Sequence, residues 1–138
     1  MRSVLIDTGV IVALLDRRER FHTLCTEAVQ NLVRPLVTCE AVIAEAFHLL
    51  RRVHGAGEAV VANVAAGIFH IGLQLPSCAA EVQDILRKYR DVDIDLADAC
   101  LIHLAGDLNT SDILTLDRDF EIYRWRGNRA FRLLIPLR

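Results

Sequence analysis

Short apolar runs of strand type alternate along this chain with longer stretches of helical period, and that alternation limits the fold more than any single motif. Residues 3–6, 36–38, about 70–75, 113–116 and 131–135 read as strands. Residues 8–16, 21–33, 40–53, 58–68, 77–89 and 95–107 read as helices, with Asp7 and Ser77 as cap residues. Strands separated by helices argue for parallel βαβ units, a central sheet covered by helices. No repeat, low-complexity segment or linker-like run interrupts the pattern, so residues 1–138 are expected to form one domain.

Composition narrows the class. A hydrophobic content of 53% beside 25% charged residues suits a packed globule rather than a disordered tail. The longest apolar runs are far too short to span a bilayer, and Asp7 interrupts the first of them, which argues against a signal peptide. A cytoplasmic location without membrane contact is the expectation. Cys25, Cys39, Cys78 and Cys100 show no CxxC pair or zinc spacing, and read as small buried hydrophobes. The net charge of −2 excludes a globally basic nucleic-acid binder, but arginines at 118, 124, 126, 129 and 132 can still form a local patch.

Chemistry is signalled by carboxylates in apolar company. In MRSVLIDTGVIVALLD, Asp7 follows the first strand directly; in ILTLDRDF, Asp117 and Asp119 follow a later one. Ligands of open α/β sheets bind beyond the carboxyl ends of the strands, where these residues fall. Each is also an ordinary capping residue when taken alone. In DIDLADACLIHLAGD, Asp98 shares a helix face with Leu101, Ile102 and Ala105, so a surface role does not explain it. A buried carboxylate must be protonated, paired or bound to a metal, and an ion pair with an arginine is the competing account. In CEAVIAEAFHLLRRV the expected apolar face comprises Val42, Ile43, Ala46, Phe47, Leu49, Leu50 and Val53, with Glu45 at its rim.

If Asp7, Glu45, Asp98 and Asp117 converge, their mutual repulsion calls for a cation. An all-oxygen donor set favours Mg²⁺, with Mn²⁺ the other choice, over zinc. Such an ion activates water and stabilises charge developing on a phosphoryl oxygen, which points to phosphodiester hydrolysis.

Four stretches, LIDTGVIVALLD, VTCEAVIAEAFHLLRR, DLADACLIHLA and ILTLDRDF, resemble the PIN-domain family of metal-dependent ribonucleases, and most closely its VapC-type toxins. The resemblance spans nearly the whole chain. It implies a three-layer α/β/α sandwich with a mainly parallel sheet. It carries the acidic roles onto Asp7, Glu45, Asp98 and Asp117, and supporting roles onto Thr8, Thr115, Asp95 and Asp119. It further implies a homodimer and a small antitoxin protein whose tail fills the active-site groove. The expected reaction is in-line attack of water on single-stranded RNA, leaving a 3′-hydroxyl and a 5′-phosphate. Arg118, Arg124 and Arg126 are candidates for holding flanking phosphates. YRWRGNRAFR offers aromatics among arginines for stacking, but a surface loop leading to an edge strand, or a dimer contact, is the preferred account, since arginines near aromatics are common.

Other classes fit less well. Glu19–His22 and Glu45–His48 both have the Glu-x-x-His spacing of di-iron bundles, but the intervening strands break up a four-helix bundle, and DRRER around Glu19 reads as a solvated turn. A haloacid-dehalogenase-type phosphotransferase expects an aspartate where Gly9 stands. A receiver domain expects a late lysine on a strand end, and the only lysine is Lys88 on a helix. A non-catalytic RNA- or protein-binding module of the same fold is the main alternative to an enzyme.

Overall fold

A computed structural model describes residues 2–137. Its central sheet is parallel throughout, with strands β1 (Val4–Ile6), β2 (Leu36–Thr38), β3 (Phe69–Ile71), β4 (Asp112–Leu114) and β5 (Arg132–Leu133) in the order β3-β2-β1-β4-β5. β1, β2 and β4 are buried at every position. That explains why Val4–Ile6, Leu36 with Val37, and Ile113 with Leu114 read as consecutive apolar residues rather than alternating ones.

The helices are α1 (Thr8–Leu15), α2 (His22–Gln30), α3 (Glu40–Leu49), α4 (Ala56–Ala65), α5 (Leu75–Lys88) and α6 (Leu96–Leu108). The chain steps from β1 to β2 to β3 in one direction, then returns to place β4 on the other side of β1. With right-handed crossovers this puts α1–α4 on one face and α5–α6 on the other. The packing agrees, since α1 touches α2, α3 and α4, while α5 packs on α6. The result is the three-layer α/β/α sandwich expected. The strand order reverses between β1 and β4, which makes the gap beyond their carboxyl ends the natural crevice of the fold.

The opposite edge of the sheet is fastened by charge. Asp112 at the start of β4 accepts from Arg34 at 2.7 Å, and from Arg132 in β5 at 2.7 and 3.0 Å. Burial alone would raise the Asp112 pKa, but these two guanidiniums outweigh it and hold the carboxyl below its usual value.

Several boundaries differ from the sequence reading. The third strand ends at Ile71, and α5 begins at Leu75 with Pro76 in its first turn, so Ser77 lies inside the helix and returns its hydroxyl to Gln74 O at 2.8 Å. Proline presets the first-turn backbone, which moves the start upstream of the serine. Gly72, directly after β3, faces Val37 and Leu104 so closely that a Cβ there would lie 2.6 Å from Val37 Cγ1. The core stripe of α3 is Val42, Ala46 and Leu50; Phe47 and Leu49, expected inside, are 49% and 52% exposed. The segment after Asp117 is not a plain loop: a 3₁₀ turn (Arg118–Glu121) leads into a hairpin of β6 (Arg124–Trp125) and β7 (Arg129–Ala130). The four cysteines are buried and unpaired.

Candidate metal centre

The site is built on the two strands flanking the reversal. Asp7 caps α1, its Oδ1 accepting the Thr8 N–H at 2.8 Å, and its own N–H donates to Leu114 O of β4 at 3.0 Å. Thr115, completely buried, donates its hydroxyl to Asp7 Oδ2 at 2.8 Å. The same Thr115 oxygen accepts the Asp117 N–H at 3.0 Å. One threonine thus fixes both aspartates, which accounts for the T-x-D pattern in the sequence.

Asp98 comes from the first turn of α6 and is 8% exposed. Asp95 caps that helix, accepting the Asp98 N–H on Oδ1 at 2.8 Å. From the other side the Tyr123 hydroxyl donates to Asp98 Oδ2 at 3.0 Å. Tyr123 is fully buried and packs edge-on against Tyr89 and Phe120. The sequence reading placed Tyr123 among stacking aromatics and missed this role. Its position in the apolar-flanked run DFEIYRW was the available signal.

Carboxylate oxygens of Asp7, Asp98 and Asp117 lie within 4.8 Å of one another. They open into a cleft of about 390 Å³ that Thr8, Gly9, Glu45, Leu49, Asp95 and Leu116 also line. Glu45 is therefore a wall of the cleft, on its exposed side, rather than part of the tight triad. Asp119 donates its N–H to Asp117 Oδ1 at 2.9 Å, and acts through the 3₁₀ turn. The di-iron arrangement is absent among the described residues: His22 directs Nδ1 to Ala13 O at 2.6 Å.

The electrostatics are uncompensated. Burial pushes Asp7 up to about 6 despite the Thr115 and Thr8 hydrogen bonds. Burial, then the charges of Asp7 and Asp95, pushes Asp98 up to about 8. Asp117 is raised by burial, and Glu45 by burial and then by Asp95. No lysine or arginine pairs with any of them among the described residues. Beside them the Thr8 hydroxyl is buried with no partner in good hydrogen-bond geometry, though it lies near enough to Glu45 to offset part of that rise. Hard oxygen donors, excess negative charge and an orphaned hydroxyl together fit a divalent cation with bound water.

The arginines nominated for RNA lie elsewhere. Arg124 Nη1 donates to the carbonyls of Glu121, Ile122 and Tyr123. Arg126 donates to Gly106 O and Asn109 Oδ1 at the far end of α6. Arg118 lines a neighbouring hollow with Arg20 that shares Leu116 with the acidic cleft.

The molecule is an open parallel α/β protein with a carboxylate triad at its switch point, a donor set suited to a hard cation. Residues 4–125 match the PIN domain, and the chain belongs to that family. It is 35% identical to Ribonuclease VapC26 of Mycobacterium tuberculosis, over 95% of this chain and 99% of that protein. Its fold is similar to the crystal structure of M. tuberculosis VapC20, described as a sarcin-ricin loop cleaving toxin. There the TM-score is 0.79 and the identity 17%, over 86% of this chain and 93% of the other.

Proposed function

We propose that this protein is an Mg²⁺- or Mn²⁺-dependent endoribonuclease of single-stranded RNA, acting as the toxin of a toxin–antitoxin pair. The observation that carries the reading is the convergence of Asp7, Asp98 and Asp117. Kinship with a protein named a ribonuclease supports the substrate class.

Asp7, Asp98 and Asp117 would hold the ion, with the Thr8 hydroxyl beside it. When bound, the ion supplies a Lewis acid for a phosphoryl oxygen and lowers the pKa of a water. Thr115, Tyr123 and the Asp119 N–H hold the Asp7, Asp98 and Asp117 carboxylates, while Asp95 fixes the Asp98 backbone, so little rearrangement is needed on loading. Glu45, on the open side of the cleft, is placed to orient the attacking water and accept its proton. A shallow acidic cleft admits a flexible single-stranded backbone more readily than a duplex. Arg118, next to Asp117, is the nominated arginine best placed to meet a flanking phosphate.

The partners proposed are RNA, an antitoxin and a second copy of this chain. Phe47 and Leu49, exposed at and near the cleft wall, offer apolar surface to a protein partner. The pairing predicts a short reading frame directly upstream of the gene, ending in a basic or aromatic-rich tail.

The test is cleavage of labelled single-stranded RNA with Mg²⁺ or Mn²⁺. Cleavage that requires metal and disappears in Asp98→Asn supports the enzyme. Binding without cleavage by the wild type leaves the non-catalytic module of the same fold.

A further inference from the structure

The turn Asp16–Arg20, which the sequence reading left as a solvated charge run, borders a second cavity of about 600 Å³. Its lining includes Arg17, Arg18, Arg52 and His54, with Asp16 as the one acid. Asp16 Oδ1 is already engaged, accepting the Arg18 backbone N–H at 3.0 Å.

Several other arginines are spent on partners within the molecule. Arg34 and Arg132 are committed to Asp112, while Arg51, Arg124 and Arg126 are committed to backbone carbonyls. Among the described residues Arg17, Arg18 and Arg52 make no ion pair, and their guanidiniums donate no hydrogen bond. Capping of the α1 and α3 carboxyl ends therefore does not account for them; next to Arg52, Arg51 does that work by donating to His48 O at 2.8 Å. Exposed guanidiniums crowded around one hollow repel one another unless an anion sits among them.

The cavity is in line with the acidic cleft. α1 and α3 pack side by side and each connects the two: Thr8 and Gly9 line the cleft and Leu15 the basic cavity, while Glu45 and Leu49 line the cleft and Arg52 the cavity. At about 1.5 Å per helical residue these separations are roughly 5 to 10 Å. That corresponds to one to three stacked nucleotides at about 3.4 Å each.

We propose that Arg17, Arg18 and Arg52 form a phosphate subsite that grips the RNA backbone one to three nucleotides from the bond cut at the carboxylate triad. The subsite rests on the nuclease reading for its ligand, but it can be tested without catalysis. Anisotropy of a labelled ten-nucleotide RNA is measured in EDTA at several salt concentrations, for wild type, for R17A/R18A/R52A, and for the three lysine replacements combined. Loss of three phosphate contacts lowers the slope of log K against log salt by about 2. The lysine variant keeps the wild-type slope, because a point charge suffices for phosphate. A second arm compares hydrolysis of bis(p-nitrophenyl) phosphate, which reaches only the triad, with cleavage of the RNA. The alanine variant slows RNA cleavage at least tenfold and leaves the small ester unchanged. An unchanged salt slope, equal losses on both substrates, or a wild type that does not bind RNA overturns the subsite. Failure of the nuclease reading alone appears differently, as RNA bound with the expected slope but never cut.

Discussion

The buried hydroxyl of Tyr123 donates to Asp98 Oδ2 at 3.0 Å, joining the segment after β4 to the first turn of α6. Asp98 already has its N–H on Asp95, so Tyr123 fixes the rotation that remains to the carboxylate. Tyr123→Phe keeps the aromatic packing on Tyr89 and Phe120 and removes only this bond. It should raise the Mn²⁺ concentration that cleavage requires about tenfold. The readout is the metal concentration giving half-maximal rate, with the rate at saturating metal nearly restored.

Thr115 serves two aspartates through one oxygen, giving a hydrogen bond to Asp7 and taking one from Asp117 N–H. Thr115→Val leaves both groups unpartnered in a buried setting, at a cost of roughly 1–3 kcal/mol. Thr115→Ser retains the hydroxyl and should recover most activity. Thermal melts and cleavage rates of the pair separate the hydroxyl from the methyl group.

The triad sets a pH dependence whose sign follows from its raised pKa values. A carboxyl that is harder to ionise in the folded state than in the unfolded chain costs stability above its folded pKa, and that cost disappears as pH falls. With Asp98 at about 8 and Asp7 at about 6, the metal-free protein should become more stable from pH 9 towards pH 5. Asp98→Asn removes the larger part of this dependence, raises Tm at pH 8 without metal, and abolishes cleavage. Melting curves in EDTA across this range provide the check; a wild-type Tm that rises with pH contradicts it.

Asp112 has the opposite sign. Its pKa is lowered by Arg132 and Arg34 after burial is overcome, so its contribution is present above the unfolded value and lost as pH drops through the folded one. Asp112→Ala leaves two guanidiniums without their acceptor at the end of the sheet away from the cleft, and should cost about 1–2 kcal/mol, because Arg132 is mostly exposed. Cleavage per folded molecule should be unchanged. Urea denaturation beside an activity assay distinguishes this from damage to the site.

The fold was legible where burial is two-sided. β1 and β4 lie in the sheet interior, and the apolar residues Val4–Ile6 and, after Asp112, Ile113 and Leu114 announce it. Asp98 on an apolar helix face was likewise visible, because a charge at that spacing has no solvent explanation. Less visible were features set by tertiary contact. Phe47 and Leu49 have the residue types of a core but face outwards, since three small turns of α3 already fill the space with Val42, Ala46 and Leu50. The hairpin arginines look like a nucleic-acid patch, yet the carbonyls ending a 3₁₀ turn and α6 take up Arg124 and Arg126. Tyr123 lies 25 positions from its partner Asp98, a distance no periodicity can register.

β4 and the aspartate that follows it lie far along the chain from Asp7. Their pairing in register, Leu5 beside Ile113 and Ile6 beside Leu114, is what brings Asp117 to Asp7. A nascent chain still lacking this central strand carries only fragments of the centre. The centre is therefore completed only when this strand docks beside β1.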